Sequence, residues 1–430
     1  MISIPELSAK ISDYGAVKVV LALSGGLDSM VLLDMLYQAR KRQTFQLQAV
    51  YVNHGLSADA QRWSEHCQQA CLVRKVDFFS RQITIDNTTN IEAAAREGRY
   101  QALSAFVDSV TTILMTGHHA DDQLETLLLA LKRGAGAAGL SGMAEYRPFA
   151  NGSLLRPLLN SSRQQILNYA TTHQLQWVED DSNQDNRFDR NYIRNVVAPL
   201  LTGRWPSFTQ TTLRSMQHLA QQQQLLDFYT EQALTRCADE RQLKLDRLQQ
   251  QIPLQQDLVI RRWLARFHLN PSSQWLQTLR EQVIGARQDA MPQLVLGRYL
   301  VRRYLQQLYL EPNSKSVVPE SGLRWTMQQN LSLPAAVGEL VVYDRPLAGR
   351  LAMQRTEVTI VFGQLSLPFK PADQPQHKPL KQWFKLWQLP PWQRGQVPLL
   401  LQGKTLVAVA GYATAISTTE ADCWLDWERN

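Results

Sequence analysis

VKVVLALSGGLDS, residues 17–29, sets a nearly continuous apolar run directly against a glycine loop. Such a short run suits a strand buried on both faces of a parallel sheet, and from Asp28 onward Val31, Leu32, Met35 and Leu36 fall at helical spacing. The stretch reads strand, loop, helix. The alternation repeats: strands are expected over 47–52, 77–85 and 111–117, and helices over 91–107 and 120–133. This pattern predicts an α/β fold with a doubly wound parallel sheet, whose ligands bind beyond the carboxyl ends of the strands.

Composition bounds the rest. The chain has 430 residues, 44% of them hydrophobic and 19% charged, as in a soluble globular protein of two or three domains. No apolar run approaches the roughly 18 residues of a membrane span. The opening MISIPELSAKISDYG lacks the basic and apolar regions of a signal peptide, so the cytoplasm is the expected compartment. Cys67, Cys71, Cys237 and Cys423 form no CxxC pair and are expected to be structural.

A Gln-rich helical pattern begins near 206 and places a domain boundary near 216. The expected organisation is 1–216 catalytic, 217–312 mainly helical, and 320–430 a small α+β domain after the linker EPNSKSVVPESG. The net charge of +7 is uneven: residues 1–220 carry 21 basic and 20 acidic side chains, residues 221–430 carry 24 and 18. The basic residues gather in an arginine block at 258–310 and a second block at 370–404, where Trp383, Phe384, Trp387 and Trp392 interleave with Lys381, Lys385 and Arg394. Such blocks suit a phosphate backbone, with aromatic stacking beside it, although a solvated surface and an aromatic core would read similarly.

The loop Ser24–Ser29 lies where unpaired N–H groups of a helix N-terminus face an anion. Gly25 and Gly26 allow close backbone approach, and Ser24 and Ser29 add hydroxyls. No Lys follows the glycines as in a Walker loop, and GxGxxG is absent. Asp28 instead puts a carboxylate where a phosphate would lie, which is reasonable with Mg²⁺ between them. His54 follows the second strand. GHHADDQLET (117–126) follows the fourth and brings His118, Asp121, Asp122 and Glu125 to the same sheet edge. Arg96 with Arg99, and Arg190 with Arg194 in DRNYIR, are spaced to share helix faces, where guanidinium groups hold phosphates or pair with carboxylates.

Taken in order, SGGLDS, HGLS, EAAAREGRY, GHHADDQLET, GLSGM, RPLL, EDDSNQD and DRNYIR resemble the N-type ATP pyrophosphatases. Within them the order is similar to the bacterial tRNA(Ile)-lysidine synthetase family of the long, three-domain type, specifically over 17–215 and more loosely beyond. The resemblance implies that ATP adenylates carbon 2 of the wobble cytidine in a CAU-anticodon tRNA(Ile), and that free L-lysine then displaces AMP. It implies ATP binding by Ser24, Gly25, Gly26, Leu27, Asp28, Ser29 and His54, with Asp28 on Mg²⁺. Asp122 and Glu125 are candidates for the lysine amine, with His118 and Asp121 close by. Arg99, Arg96, Arg190 and Arg194 would face AMP or RNA phosphate. A homodimer is a further candidate assembly.

Rival readings share the ATP loop. A tRNA thiolase needs reactive cysteines, for which Cys67 and Cys71 are the candidates; an amide-forming ligase commonly carries a glutaminase domain, and none is visible. A non-catalytic RNA-binding protein would have no use for Asp28, Asp121, Asp122 and Glu125 together.

Overall fold

The structure, a computed structural model, describes residues 1–429 apart from 56, 58, 85–90, 288–289, 315–317 and 335–336, and describes no side chains at 91–93 and 181–182. Leu56 of HGLS, the end of the expected third strand, the Glu92 side chain, part of EDDSNQD, Asp289 and part of the expected linker thus lie outside the described residues. Two compact units are present, Met1–Phe228 and Tyr229–Asn430.

The first unit runs α1 (Ile4–Asp13), β1 (Lys18–Ala22), α2 (Leu27–Arg40), β2 (Gln46–Asn53), α3 (Ala60–Val73), β3 (Asp77–Gln82), α4 (Ile91–Ser104) and β4 (Thr112–Met115). It continues through α5 (Ala120–Lys132), α6 (Ala137–Leu140), β5 (Tyr146–Phe149), β6 (Gly152–Leu155) and α7 (Arg163–Thr172). Six strands pair in the order β3-β2-β1-β4-β6-β5, parallel except for β5, which folds back on β6 as a hairpin. The doubly wound sheet read from the sequence is present.

β1 explains the continuous apolar run. Val20 packs with Val50, Leu114, Leu154 and Leu103 on one face, while Val19 and Leu21 join Leu32, Leu36, Ala49 and Met115 on the other. Both faces are covered, so neither parity of the strand is polar. β3 is the sheet edge and stays largely exposed from Ser80 to Gln82. From β1 the chain builds outward to β2 and β3, then returns to the other side of β1 as β4. A crevice at the carboxyl ends of β1 and β4 follows from that reversal.

A long helix, Phe208–Cys237, contains the position 216 at which the composition changes. Gln is a good helix former, and the run 221–224 supplies no breaker to end it. Over 217–312, read as mainly helical with a strand-like end at 297–310, helix outweighs strand, and Tyr299–Tyr304 and Gln307–Pro312 are the strands of that end. A five-stranded antiparallel sheet (Ala238–Asp239, Gln242–Lys244, Gln307–Pro312, Tyr299–Tyr304, Gln293–Leu296) packs with the helices Pro253–Ala265 and Ser273–Thr278 around Trp263. No described helix is long and apolar enough to cross a membrane.

Two features of the basic half that the sequence leaves open take definite form. Trp383 and Phe384 are 4% and 0% exposed, and the Trp383 indole donates to the Phe369 carbonyl at 2.9 Å, so these rings are core and not a stacking platform. Within the arginine block, Arg303 is 5% exposed and donates to the carbonyls of Val283, Ile284 and Arg287. Arg262 and Arg266 converge on Glu231 at 2.7 and 2.5 Å, Arg280 meets Asp257 at 3.0 Å, and Arg261 caps the Pro271 carbonyl at 2.6 Å. Much of this charge holds the unit together. Phe384→Ala should lower the stability of the second unit by about 3–5 kcal/mol in urea unfolding; an unchanged midpoint would show that the ring is not a core element.

Candidate active site

The loop after β1 is braced from within. The Ser29 hydroxyl donates to the Gly26 carbonyl at 2.9 Å and lies 3.1 Å from the Ser24 hydroxyl. Gly26 is the N-cap of α2 and offers no side chain, so the first N–H groups of the helix are left to a ligand. Gly25 has φ +86°, and its carbonyl accepts the Val178 N–H at 3.0 Å. A Cβ there would meet Val178 at 3.0 Å and Cys67 at 3.1 Å, so glycine is required both by conformation and by space.

Gly117 brings the loop after β4 against that after β1: a Cβ on it would lie 3.0 Å from the Asp28 backbone. Asp28 thereby faces the N-terminus of α5. Its Oδ1 is buried without a hydrogen-bond partner, and Oδ2 lies 3.8 Å from the Arg163 guanidinium. Burial raises its pKa, against the opposing pull of His119 and Arg163.

His119 is 2% exposed and is the N-cap of α5: its Nδ1 accepts the Asp121 N–H at 3.2 Å, while Asp122 Oδ2 accepts the His119 N–H at 3.0 Å. Burial works against its charged form, but the carboxylates of Asp121, Asp122 and Asp28 outweigh it and raise its pKa. His118 differs. Its Nδ1 lies 2.8 Å from the Thr116 hydroxyl, and burial pushes it down to about 3, leaving a neutral ring.

Arg190 and Arg194 come from Asp189–Tyr192 and the π-helical turn Ile193–Val197 that follows. Arg190 reaches Glu125 at 2.7 Å and Asp122 at 2.9 Å; Arg194 reaches Glu125 at 2.6 Å and Asp122 at 3.2 Å. Of the two uses read for these arginines, holding phosphate or pairing with carboxylates, the pairing is present here, with Asp122 and Glu125. Asp122 and Glu125 are 8% and 1% exposed, and burial of Asp122 is overcome by His119 and Arg190, which hold its carboxyl well below the usual range.

Asp121 is also engaged within the protein. Its Oδ2 accepts the Arg163 N–H at 2.8 Å and fastens the start of α7. His54 and Arg99 form another group, the imidazole Nε2 accepting from Arg99 at 2.8 and 3.1 Å; Arg96 lies over the Tyr100 ring at 5.3 Å. Sequence reasoning put both histidines of GHHADDQLET at the strand end without giving His119 a role, and missed Arg163, Val178 and Gln123, whose amide pins Met143 of GLSGM at 2.8 Å on both backbone groups.

Residues 3–201 match the model of the PP-loop domain, 243–309 the TilS substrate binding domain and 358–427 the TilS substrate C-terminal domain. The tRNA(Ile)-lysidine synthase of Serratia proteamaculans (strain 568) is 43% identical over 415 residues, covering 94% of both chains. That of Yersinia pestis is 42% identical over 436 residues, 96% of this chain and 94% of the relative, and that of Vibrio cholerae 38% over 427 residues, 97% and 96%. The chain belongs to the tRNA(Ile)-lysidine synthase family.

For a lysidine synthase the SGGLDS loop is the PP-loop, and its ATP use follows. Among the described residues no three His, Cys, Asp or Glu side chains cluster as a metal cage. The partnerless Oδ1 of Asp28 fits the other mode of holding Mg²⁺, one carboxylate shared with substrate phosphates. Burial pushes the Cys67 and Cys71 thiols up to about 12, so the chain keeps them protonated, unlike the reactive thiols a thiolase needs.

Gly25→Ala should abolish ATP binding in equilibrium dialysis while costing about 1–2 kcal/mol of stability; retained binding would refute the role given to the loop geometry. His54, lowered to about 4 by burial and Arg99, and His118 stay neutral in the folded state, whereas the unfolded chain takes up protons near pH ~6.5. Stability should therefore fall as pH drops from about 6.5 toward 4. His54→Asn should flatten that fall in urea midpoints at pH 7 and 4.5; identical slopes would contradict it.

Proposed function

We propose that the chain adenylates the oxygen at carbon 2 of the wobble cytidine in a CAU-anticodon tRNA(Ile), and that the ε-amine of free L-lysine then displaces AMP. The products are lysidine, AMP and pyrophosphate. The observation that carries this reading is that the PP-loop carboxylate Asp28 shares His119 with Asp122, which with Glu125 pairs with Arg190 and Arg194, in a chain 43% identical to a lysidine synthase over 94% of its length.

The N–H groups at the start of α2 bind the phosphates, and Asp28 holds Mg²⁺, which when bound offsets charge on the leaving pyrophosphate. His54 and Arg99 line the nucleotide side. Lysine presents an ammonium with an unperturbed pKa of ~10.4, so it needs carboxylates to receive it and take its proton. Asp122 and Glu125 supply these once phosphate draws Arg190 and Arg194 away, and neutral His118, hydrogen-bonded to Thr116, lies at the same strand end. The regions 243–309 and 358–427 hold the tRNA. The site of action is the cytoplasm. A homodimer is part of this reading, to be measured by light scattering.

The test combines ATP, labelled lysine and tRNA(Ile) with a CAU anticodon. Label should enter RNA with one AMP released per lysidine, and no label would overturn the reading. Asp28→Asn should slow AMP release by about 100-fold or more, and Glu125→Gln should accumulate adenylated tRNA; unchanged rates in either would remove that residue's role.

A further inference from the structure

We propose that His119 is a positioning residue that ties the carboxylate of the adenylation step, Asp28, to the carboxylate of the amine step, Asp122. The proposal rests on the roles given above to those two residues. His119 stands at an N-cap, a position that usually takes Ser, Thr, Asp or Asn, and a hydroxyl or amide would satisfy the Asp121 N–H equally well. The ring does something these cannot. With Nδ1 accepting that N–H, the neutral imidazole carries its hydrogen on Nε2, and the charged ring carries one there too. Nε2 lies 3.7 Å from Asp28 Oδ1 and 3.6 Å from Asp122 Oδ2, nearly midway between two carboxylates from different helices. At 2% exposure, no solvent replaces it. At these separations the N–H makes no hydrogen bond to either acid, Asp28 Oδ1 being buried without such a partner, and it acts through its charge distribution, offsetting the repulsion between the two carboxylates.

Two substitutions separate this role from capping. Asn reproduces Nδ1 and keeps the cap; Gln extends to the position of Nε2 and loses it. Mn²⁺ serves as the probe, counted by electron paramagnetic resonance on the full chain with a non-hydrolysable ATP analogue, beside the urea midpoint and the KM for lysine. His119→Asn should keep the wild-type midpoint, bind Mn²⁺ at least tenfold more weakly and raise the lysine KM. His119→Gln should lower the midpoint and keep Mn²⁺ affinity within about threefold. Wild-type Mn²⁺ affinity and lysine KM in His119→Asn would overturn the proposal. Should that variant not fold, His119→Gln decides: retained Mn²⁺ affinity supports the tie, and loss overturns it. Asp28→Asn is the control. If it still binds Mn²⁺ as the wild type does, the assignment of Asp28 to the cation falls; if it does not, and His119→Asn does, only the present proposal falls.

Discussion

Four carboxylates, those of Asp28, Asp121, Asp122 and Glu125, crowd the carboxyl edge of β1 and β4, and mutual repulsion forbids that arrangement without compensation. The local sequence provides only part of it. The two helix N-termini contribute partial positive charge, and His119 stands among three of the acids. The remainder comes from Arg163, Arg190 and Arg194, supplied by later segments of the chain. The return of α7 and of the DRNYIR segment to the crevice is thus an electrostatic requirement of the strand-end motifs. Asp121 shows the coupling directly, since its carboxylate holds the first N–H of α7.

The fold was legible because its signals are local. An apolar strand covered on both faces, followed by glycines and a helical stripe, needs no distant residue to be read, and β1 and α2 lie where that pattern put them. The site was half legible for the same reason. GHHADDQLET announces carboxylates at a helix start, but that Arg190 and Arg194 close on Glu125 depends on residues 65 and 69 positions apart. The capping box Ser162–Gln165 marks the start of α7 without showing that its first N–H meets Asp121. His119 did have a signal: it sits three residues before Asp122, at the N-cap of a capping box. Its adjacency to His118 hid that one ring is neutral and the other held among acids.

Charge in the second unit teaches the opposite lesson. Counting cations along 258–310 suggests a surface for a polyanion, yet Arg303 is buried under three carbonyls and Glu231 already neutralises part of the charge on Arg262 and Arg266. A guanidinium has five donors in a fixed plane, which suits it to tie irregular backbone in a domain built of strands of two to six residues. The phosphate-binding capacity of such a block is therefore smaller than its sequence charge. The same holds for the aromatics, where Trp387 stacks on Tyr412 at 5.2 Å and the indole of Trp392 donates to Glu311 at 3.1 Å.

The pairing of Arg190 and Arg194 with Asp122 and Glu125 bears on how the proposed reaction avoids waste. Both oxygens of Glu125 accept from guanidinium groups, and Asp122 Oδ1 accepts from two, so an arriving ammonium meets carboxylates already neutralised by two cations. Removing the arginines without replacement would leave two buried anions unpaired, a state that costs several kcal/mol. Exchange is favourable only when a phosphate receives the arginines as the ammonium takes their place, since each buried charge then keeps a partner throughout. In the proposed reaction those phosphates belong to the nucleotide or the tRNA. On the roles proposed for these residues, the acceptor site for lysine opens only with a phosphate in the crevice to take the arginines.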